Sequence, residues 1–182
     1  MQGKSETHQV PQTLQVTSSA FGMNGSIPPQ FTADGDDIPP PLAWSAPPEG
    51  TKAFAIIVDD PDAPNPDAPE RTWVHWVVTG IPPTTTSLPG GNTLPEGAVV
   101  GTNDWGQRAW GGPNPPIGRH RYFFKVYALD IALDAPGITK LELLGAMKGH
   151  ILAQGELIGT YEKPVEHRSA KHGAERTTRG HH

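Results

Sequence analysis

Short apolar runs, bounded by turn residues, recur along the chain. Ala53–Val58 (AFAIIV) and Tyr122–Leu129 (YFFKVYAL) are rich in β-branched and aromatic residues, which favour strands. Trp73–Thr79 (WVHWVVT) is apolar at odd and even positions, so we expect a strand that is covered on both faces. The pattern predicts a buried sheet built on these three strands.

Strict alternation along the middle run has a further consequence for its side chains. It would place Trp73, His75 and Val77 on one face of the strand, with Val74, Trp76 and Val78 on the other.

Weaker patterns predict the elements at either end of the domain. Leu14–Phe21 alternates and predicts a first strand, and Glu156–Tyr161 (ELIGTY) predicts a last one. A single helix is predicted over Thr139–Gln154, because Thr139 and Glu142 match a capping box and Gly155 can end the helix.

Composition supports a mainly β fold with many turns. The chain has 21 prolines and 21 glycines, which suit short strands joined by turns. Gly101–Gly118 is too rich in Gly, Pro and Asn for regular structure, and a loop of this length is usually functional. We expect Trp44, Trp105 and Trp110 to anchor loops.

Length and tail composition predict one domain over residues 14–163 of the 182. Residues 1–13 are expected to be a flexible lead-in. Residues 164–182 are predicted to be a disordered tail, and the terminal His-His also fits the start of a purification tag.

Charge and cysteine content narrow the partners and the compartment. The formal net charge is −5, which disfavours non-specific binding of nucleic acid or an anionic membrane. There is no cysteine, and no apolar run is long enough to span a bilayer. We therefore expect a cytoplasmic protein without an integral membrane segment.

Polar residues interrupt or adjoin each of the three core strands. Asp60 and Asp62 follow the first strand, His75 lies within the second, and His120 and Tyr122 open the third. Because side chains two apart in a strand share a face, His120 and Tyr122 should point together. Arg121 should point away and neutralise a carboxylate such as Asp62.

Together these residues offer hydrogen-bond donors and acceptors suited to a small phosphate or carboxylate group. Taken singly, each has a simpler explanation, since Asp dominates turns and a histidine in an apolar strand is often a core residue. Two Asp and two His could instead ligate a metal or form an acid/base set.

Three motifs resemble the phosphatidylethanolamine-binding protein family, in particular the bacterial and archaeal branch related to the Raf kinase inhibitor proteins. They are DDPDAP (59–64), WVHW (73–76) and GGPNPPIGRHRYFFKVYALD (111–130). Similarity extends through 25–48 and 149–163, so it covers roughly the predicted domain. The resemblance implies a mainly β, β-sandwich-like fold with a large central sheet, a smaller sheet and a C-terminal helix.

The resemblance also implies an anion-binding pocket at one end of the large sheet, a cis Ala63–Pro64 peptide bond and no cofactor. We expect no bound metal and no catalytic residue. The ligand-binding residues that the resemblance implies are Asp60, Asp62, Trp73, His75, Gly112, Pro113, His120 and Tyr122.

We therefore expect a non-enzymatic binding protein with a small anion pocket. Its ligand would be a phospholipid headgroup, a metabolite or a phosphorylated partner. Two alternatives stay open: a hydrolase or metal-dependent enzyme that uses the Asp/His cluster, and a kinase or protease inhibitor that acts through loops 64–72 and 101–118. The resemblance also leaves a homodimer open.

Overall fold

The central strand β5 (Ala53–Ala63) organises the larger of two sheets. It pairs antiparallel with β6 (Arg71–Ile81) on one side and with β9 (His120–Leu129) on the other. A computed structural model describes residues 11–164 of the chain. The three predicted core strands are therefore confirmed, and each is longer than its apolar run.

The remaining elements complete the two sheets. They are β1 (Gln12–Thr13), β2 (Val16–Thr17), β3 (Gly25–Ser26), a 3-10 helix (Pro29–Phe31), β4 (Leu42–Trp44), β7 (Ser87–Leu88), β8 (Val99–Val100), α1 (Lys140–Met147) and β10 (Ile151–Tyr161).

Two layers of apolar side chains cover the large sheet, whose order is β1-β10-β9-β5-β6-β8 with β3 also on β10. One layer lies between it and the small sheet β2-β4-β7, where the Trp44 and Phe54 rings are 5.3 Å apart. The other layer lies under α1, through Leu143 and Met147. The predicted fold class, with a large sheet, a small sheet and a helix, is confirmed.

Helix α1 is shorter than predicted. Its capping box is present, since Thr139 Oγ1 accepts from the Glu142 N–H at 3.3 Å and Glu142 Oε1 accepts from the Thr139 N–H at 3.0 Å. The extension to Gln154 was wrong: Gly149 has φ +82°, and the chain from Ile151 onward pairs with β9. Strand pairing thus overrides the helical spacing. No helix within residues 11–164 has the length and apolarity to cross a bilayer.

The predicted first strand over Leu14–Phe21 was also wrong as a single element. Leu14 continues the pairing of β1 with the large sheet, since its N–H donates to the Gln154 carbonyl at 2.9 Å, and Val16–Thr17 then forms β2 on the small sheet, so the alternation reflects a crossing between sheets. Strand β1 lies within the predicted lead-in. The rest of that lead-in, and the predicted tail apart from Pro164, lie outside the described residues.

A β-bulge at His75 breaks the predicted alternation along β6. Val58 pairs with Trp76 while the next residue, Asp59, pairs with Val74, so His75 is the extra residue. Val74 and Val77 therefore pack together on the helix side, and Trp76 and Val78 pack between the sheets. The simple two-face assignment of residues 73–78 was wrong because of this bulge.

We expect Gly155→Ala to destabilise the protein and Gly145→Ala to stabilise it. A Cβ on Gly155 would lie 2.0 Å from the Leu14 carbonyl oxygen and push the β1 segment off β10, which should cost about 2 kcal/mol. Gly145 is exposed in α1 with open space around it, so alanine should add roughly 0.5–1 kcal/mol. Chemical denaturation measures both, and equal effects would contradict the docking of β1.

Candidate functional site

The predicted site residues meet at one end of the large sheet because β5 runs between β6 and β9. Asp60 lies opposite Trp73 on β6, and its neighbour Asp59 lies opposite Phe123 on β9. The rings of His75 and Tyr122 are 5.2 Å apart, and those of His120 and Tyr122 are 6.3 Å apart. His120 and Tyr122 stack at 17°, which confirms that they share a face.

A buried ion pair joins His120 to Asp60. The His120 Nδ1 donates to Asp60 Oδ2 at 2.6 Å, and Nε2 faces the carbonyls of Ile117 at 2.9 Å and Pro64 at 3.1 Å. Burial disfavours the charged ring, but the Asp60 hydrogen bond and charge, with the two carbonyls, outweigh it and raise the pKa of His120. Pro64 follows the implied cis bond to Ala63, which is confirmed.

Because both His120 nitrogens face acceptors, the ring positions its neighbours and has no nitrogen left for a ligand. Asp60 is committed in the same way, since its second oxygen, Oδ1, accepts from the Asp62 N–H at 2.7 Å.

His75 presents an unused acceptor. Its Nδ1 lies 2.6 Å from the Gly111 carbonyl oxygen and must donate to it, so the lone pair is on Nε2. That Nε2 is buried and has no hydrogen-bond partner among the described residues. Burial lowers the pKa of His75, and although the Gly111 carbonyl and nearby carboxylates such as Asp60 oppose this, the ring stays neutral near pH 7.

Tyr122 presents a hydroxyl in the same state. Its Oη is buried and has no partner within the described part of the chain. Burial, followed by the charges of Asp60 and Asp62, holds the pKa of Tyr122 well above its ordinary value, so the hydroxyl keeps its proton. Leaving a buried polar group unpaired costs about 1–3 kcal/mol, so the two atoms call for a polar partner.

Asp62 forms an ion pair with Arg121. Its carboxylate accepts from the Arg121 backbone N–H at 2.9 Å, from Nε at 3.0 Å and from Nη2 at 2.9 Å. Burial raises the pKa of Asp62, but these hydrogen bonds and the guanidinium charge outweigh it, so the net shift is downward. The expected neutralisation of Asp62 by Arg121 is confirmed, and Asp62 acts here as a structural anchor.

Gly112 and Pro113 connect the long loop to a distant turn. The Gly112 N–H donates to Asp37 Oδ1 at 2.8 Å, and the Pro113 carbonyl accepts from the Ala33 N–H at 2.9 Å. A Cβ on Gly112 would lie 2.5 Å from Asp37 Oδ1 and 2.9 Å from the Phe31 carbonyl oxygen. The Gly112 N–H is thus already used, and the pair fixes the loop that carries Gly111.

One tryptophan, Trp105, lies against the histidine, and a second, Trp73, lies against Trp105. The Trp73 and Trp105 rings meet edge-on at 5.5 Å, and Trp105 also meets the His75 ring edge-on at 5.2 Å. Sequence reasoning treated Trp105 only as a loop anchor and missed this contact with the site. It also missed Asp37. Asn-Asp-Trp-Gly (103–106) and Gly-Asp-Asp (35–37) are turn signals, but neither shows what its turn contacts.

The alternative of a metal site gains no ligand set. Within residues 11–164, no group of three or more His, Cys, Asp or Glu side chains could hold a metal ion. The nearest candidates, His120 and Asp60, bind each other.

A groove of about 660 Å³ lies elsewhere and contains none of the predicted site residues. It runs along β1 on the helix-bearing side of the large sheet, where Lys125, Tyr127 and Glu156 contribute to its wall. Lys125 is already paired with the buried Asp59 at 3.1 Å. Among the described residues, the indole N–H groups of Trp44 and Trp110 are also buried without a partner, but only His75 Nε2 and Tyr122 Oη lie together at the predicted site.

We predict that the two site histidines titrate on opposite sides of the ordinary value of 6.5: His120 above it and His75 below it. NMR titration of the imidazole signals measures both values. Asp60→Asn should lower the pKa of His120, because the ring loses its main charge partner. Asp62→Asn is the control, because Asp62 is paired with the half-exposed Arg121 and His120 is paired with Asp60. This variant should leave the pKa of His120 raised.

The stability effect of Asp60→Asn has a defined sign. The pKa of His120 is higher in the folded protein than in the unfolded chain, so its pairing with Asp60 stabilises the fold fully below about pH 6.5. This stabilisation is lost as the pH rises through the pKa of His120 in the folded protein. The Asp60→Asn variant should therefore lose about 3 kcal/mol near pH 6 and less at higher pH. A loss that is independent of pH would contradict the charged pair.

Comparisons with known proteins agree with this architecture. The model of the phosphatidylethanolamine-binding protein family matches residues 17–162. A UPF0098 protein of Methanothermobacter thermautotrophicus is 45% identical over 155 residues, which cover 82% of this chain and 99% of the relative.

Two solved structures share the fold. A phosphatidylethanolamine-binding protein homolog from Chlamydia trachomatis has a TM-score of 0.77 at 42% identity and covers 84% of this chain and 99% of its own. YbcL of E. coli, described as a member of the mammalian family, has a TM-score of 0.74 at 35% identity, over 83% and 99%. The predicted family is confirmed, while the link to Raf kinase inhibition stays a prediction. The chain belongs to the phosphatidylethanolamine-binding protein family.

Proposed function

We propose that this protein binds a small phosphate- or carboxylate-bearing group at His75 and Tyr122, without catalysing a reaction. The observation that carries the proposal is the pair of buried polar atoms, His75 Nε2 and Tyr122 Oη, that have no partner among the described residues. The family itself has a binding-protein fold, and its name supports a phosphate-bearing headgroup as one source of the ligand.

Both carboxylates at the site are already paired with cations, so the site favours a ligand that is protonated or becomes protonated when it binds. Asp60 is neutralised by His120, and Asp62 is neutralised by Arg121. His75 is neutral and offers an acceptor, whereas the Tyr122 hydroxyl can donate. A singly protonated phosphate or a carboxylic acid supplies the complement: one oxygen accepts from Tyr122 and one O–H donates to His75.

The hydroxyl of Tyr122 gives the sharpest test, because removing it deletes one polar atom and leaves the packing. Tyr122→Phe should weaken binding by tenfold or more, about 1.5 kcal/mol, while stability stays equal or rises slightly, since the hydroxyl is unpaired in the unliganded protein. Titrations followed by the His75 NMR signal, with inorganic phosphate, acetate and phosphoethanolamine as probes, measure affinity. Thermal unfolding measures stability.

The control is Tyr127→Phe, the same change on the helix-bearing side of the sheet, which should leave binding unaltered. Vesicles that contain phosphatidylethanolamine form a further arm: binding to vesicles but not to phosphoethanolamine would assign the ligand to an intact lipid. If no probe shifts His75 in the wild-type protein, the proposal is wrong. The hydrolase and inhibitor alternatives gain no observation of their own from the described residues.

Binding should weaken as the pH rises. A carboxylate such as acetate is fully ionised between pH 6 and 8, so it can only hydrogen-bond to His75 Nε2 if binding takes up a proton. Linkage then lowers acetate affinity roughly tenfold per pH unit above about pH 7. Calorimetry in buffers of different ionisation enthalpy counts the proton directly. An affinity that does not change with pH, with no proton uptake, would show that the oxyanion is held without His75.

A further inference from the structure

The atoms proposed to contact the ligand are sealed from solvent. His75 is 0% exposed and Tyr122 is 1% exposed, so a ligand cannot reach Nε2 or Oη unless something moves. The strands that carry these residues are paired on both sides by backbone hydrogen bonds and lie in the core. The moving part must therefore come from what lies over the strand ends.

Of the two tryptophans at the site, Trp105 is the more exposed. It is 37% exposed, although its ring meets both His75 at 5.2 Å and Trp73 at 5.5 Å edge-on. Trp73 lies in a strand, with the Arg71 guanidinium carbon 5.8 Å from its ring centre. The indole of Trp105 projects from the loop over residues 101–118 and contacts the site through its ring.

The backbone beneath Trp105 is fixed, so any opening is a rotation of the side chain. The buried Asn103 accepts from the N–H groups of Trp105 at 2.9 Å and Gln107 at 3.0 Å, and it donates to the Ala109 carbonyl at 2.8 Å. Asp104 ties the same turn to β6, since its Oδ2 accepts from the Val74 N–H at 2.8 Å. The indole is thus a ring on a rigid turn.

Gly111 provides the seat for the closed ring. A Cβ at this position would lie 2.4 Å from Trp105 Cζ3 and 2.7 Å from Cε3, and the three nearest atoms all belong to the indole. An alanine there is therefore compatible with the backbone only if Trp105 swings outward. The residue whose carbonyl orients His75 thus also supports the ring that covers His75.

We infer that Trp105 is the lid of the pocket, a side chain that must rotate off Gly111 and His75 before a ligand can enter. The inference deepens the proposed function and rests on it for its biological meaning. The closed position of the indole does not depend on which oxyanion binds, so the lid can be tested without a ligand.

The test measures how fast His75 reacts with diethyl pyrocarbonate, which acylates an unprotonated imidazole nitrogen. The full chain is treated at neutral pH, and mass spectrometry of the digested protein locates each modified histidine. His150, whose side chain is 42% exposed, serves as the internal reference. Trp105→Ala should speed modification of His75 roughly tenfold relative to His150, because two edge-on ring contacts are lost from the closed state.

Gly111→Ala should also speed modification of His75, although Trp105 is still present. This variant therefore excludes the explanation that Trp105→Ala exposes His75 only by loosening the packing around it. Leu141→Ala, an exposed apolar residue of α1, is the matched control and should leave His75 protected. Near-ultraviolet circular dichroism and thermal unfolding check that each variant is folded. If His75 stays as protected in folded Trp105→Ala and Gly111→Ala as in the wild type, Trp105 is not the lid.

A second measurement separates the lid from the function. Inorganic phosphate is titrated into the same variants, and its exchange rate at His75 is followed by NMR line shape. Faster exchange in Trp105→Ala supports the lid. If His75 is modified faster in the variants but phosphate, acetate and phosphoethanolamine do not bind, Trp105 is the lid and the proposed function is wrong. If phosphate binds but both its exchange rate and the protection of His75 are the same in the variants as in the wild type, the proposed function stands and Trp105 is not the lid.

Discussion

The buried pair of His120 and Asp60 is the interaction on which the site depends. It joins the first residue of β9 to β5, and through the second ring nitrogen it reaches the loop carbonyls of Ile117 and Pro64. Two desolvated charges stabilise a fold only when their remaining hydrogen-bonding capacity is filled, as it is here. Two stretches of chain distant in sequence, residues 60–64 and 117–120, are thereby held at one point, beside the ring of Tyr122.

The two histidines of the site have different roles, because His120 is paired with Asp60 and His75 is not. His120 is stacked against Tyr122, and the carboxylate and carbonyls around its nitrogens favour its charged form and raise its pKa. His75 is neutral, because a carbonyl takes one nitrogen and burial disfavours charge on the other. When their surroundings give two residues of the same type different pKa values, the two residues can play different roles. One histidine holds the architecture, and the other is left to offer a lone pair.

The sequence predicted what depends on local pattern. Apolar runs gave β5, β6 and β9, a period of two placed His120 and Tyr122 together, and the Thr139 capping box marked the start of α1. Features set by distant contacts escaped it. The bulge at His75 depends on register against β5, the use of the Gly112 N–H depends on a residue 75 positions away, and the position of Trp105 depends on Gly111. Pairing with β9 likewise ended the helix early.

The bulge shows why local pattern fails at the site. With one extra residue at position 75, β6 can send Val74 and Val77 under α1 and still send Trp76 and Val78 between the sheets. Core packing on both faces therefore fixes the strand while His75 is freed from the alternation, and its ring lies against Tyr122 at the end of the sheet. A bulge that re-aims one side chain is over-represented beside functional sites. The same core that tolerates the irregularity also holds His75 Nε2 and Tyr122 Oη in place, and that rigidity is what the proposed binding of an oxyanion requires.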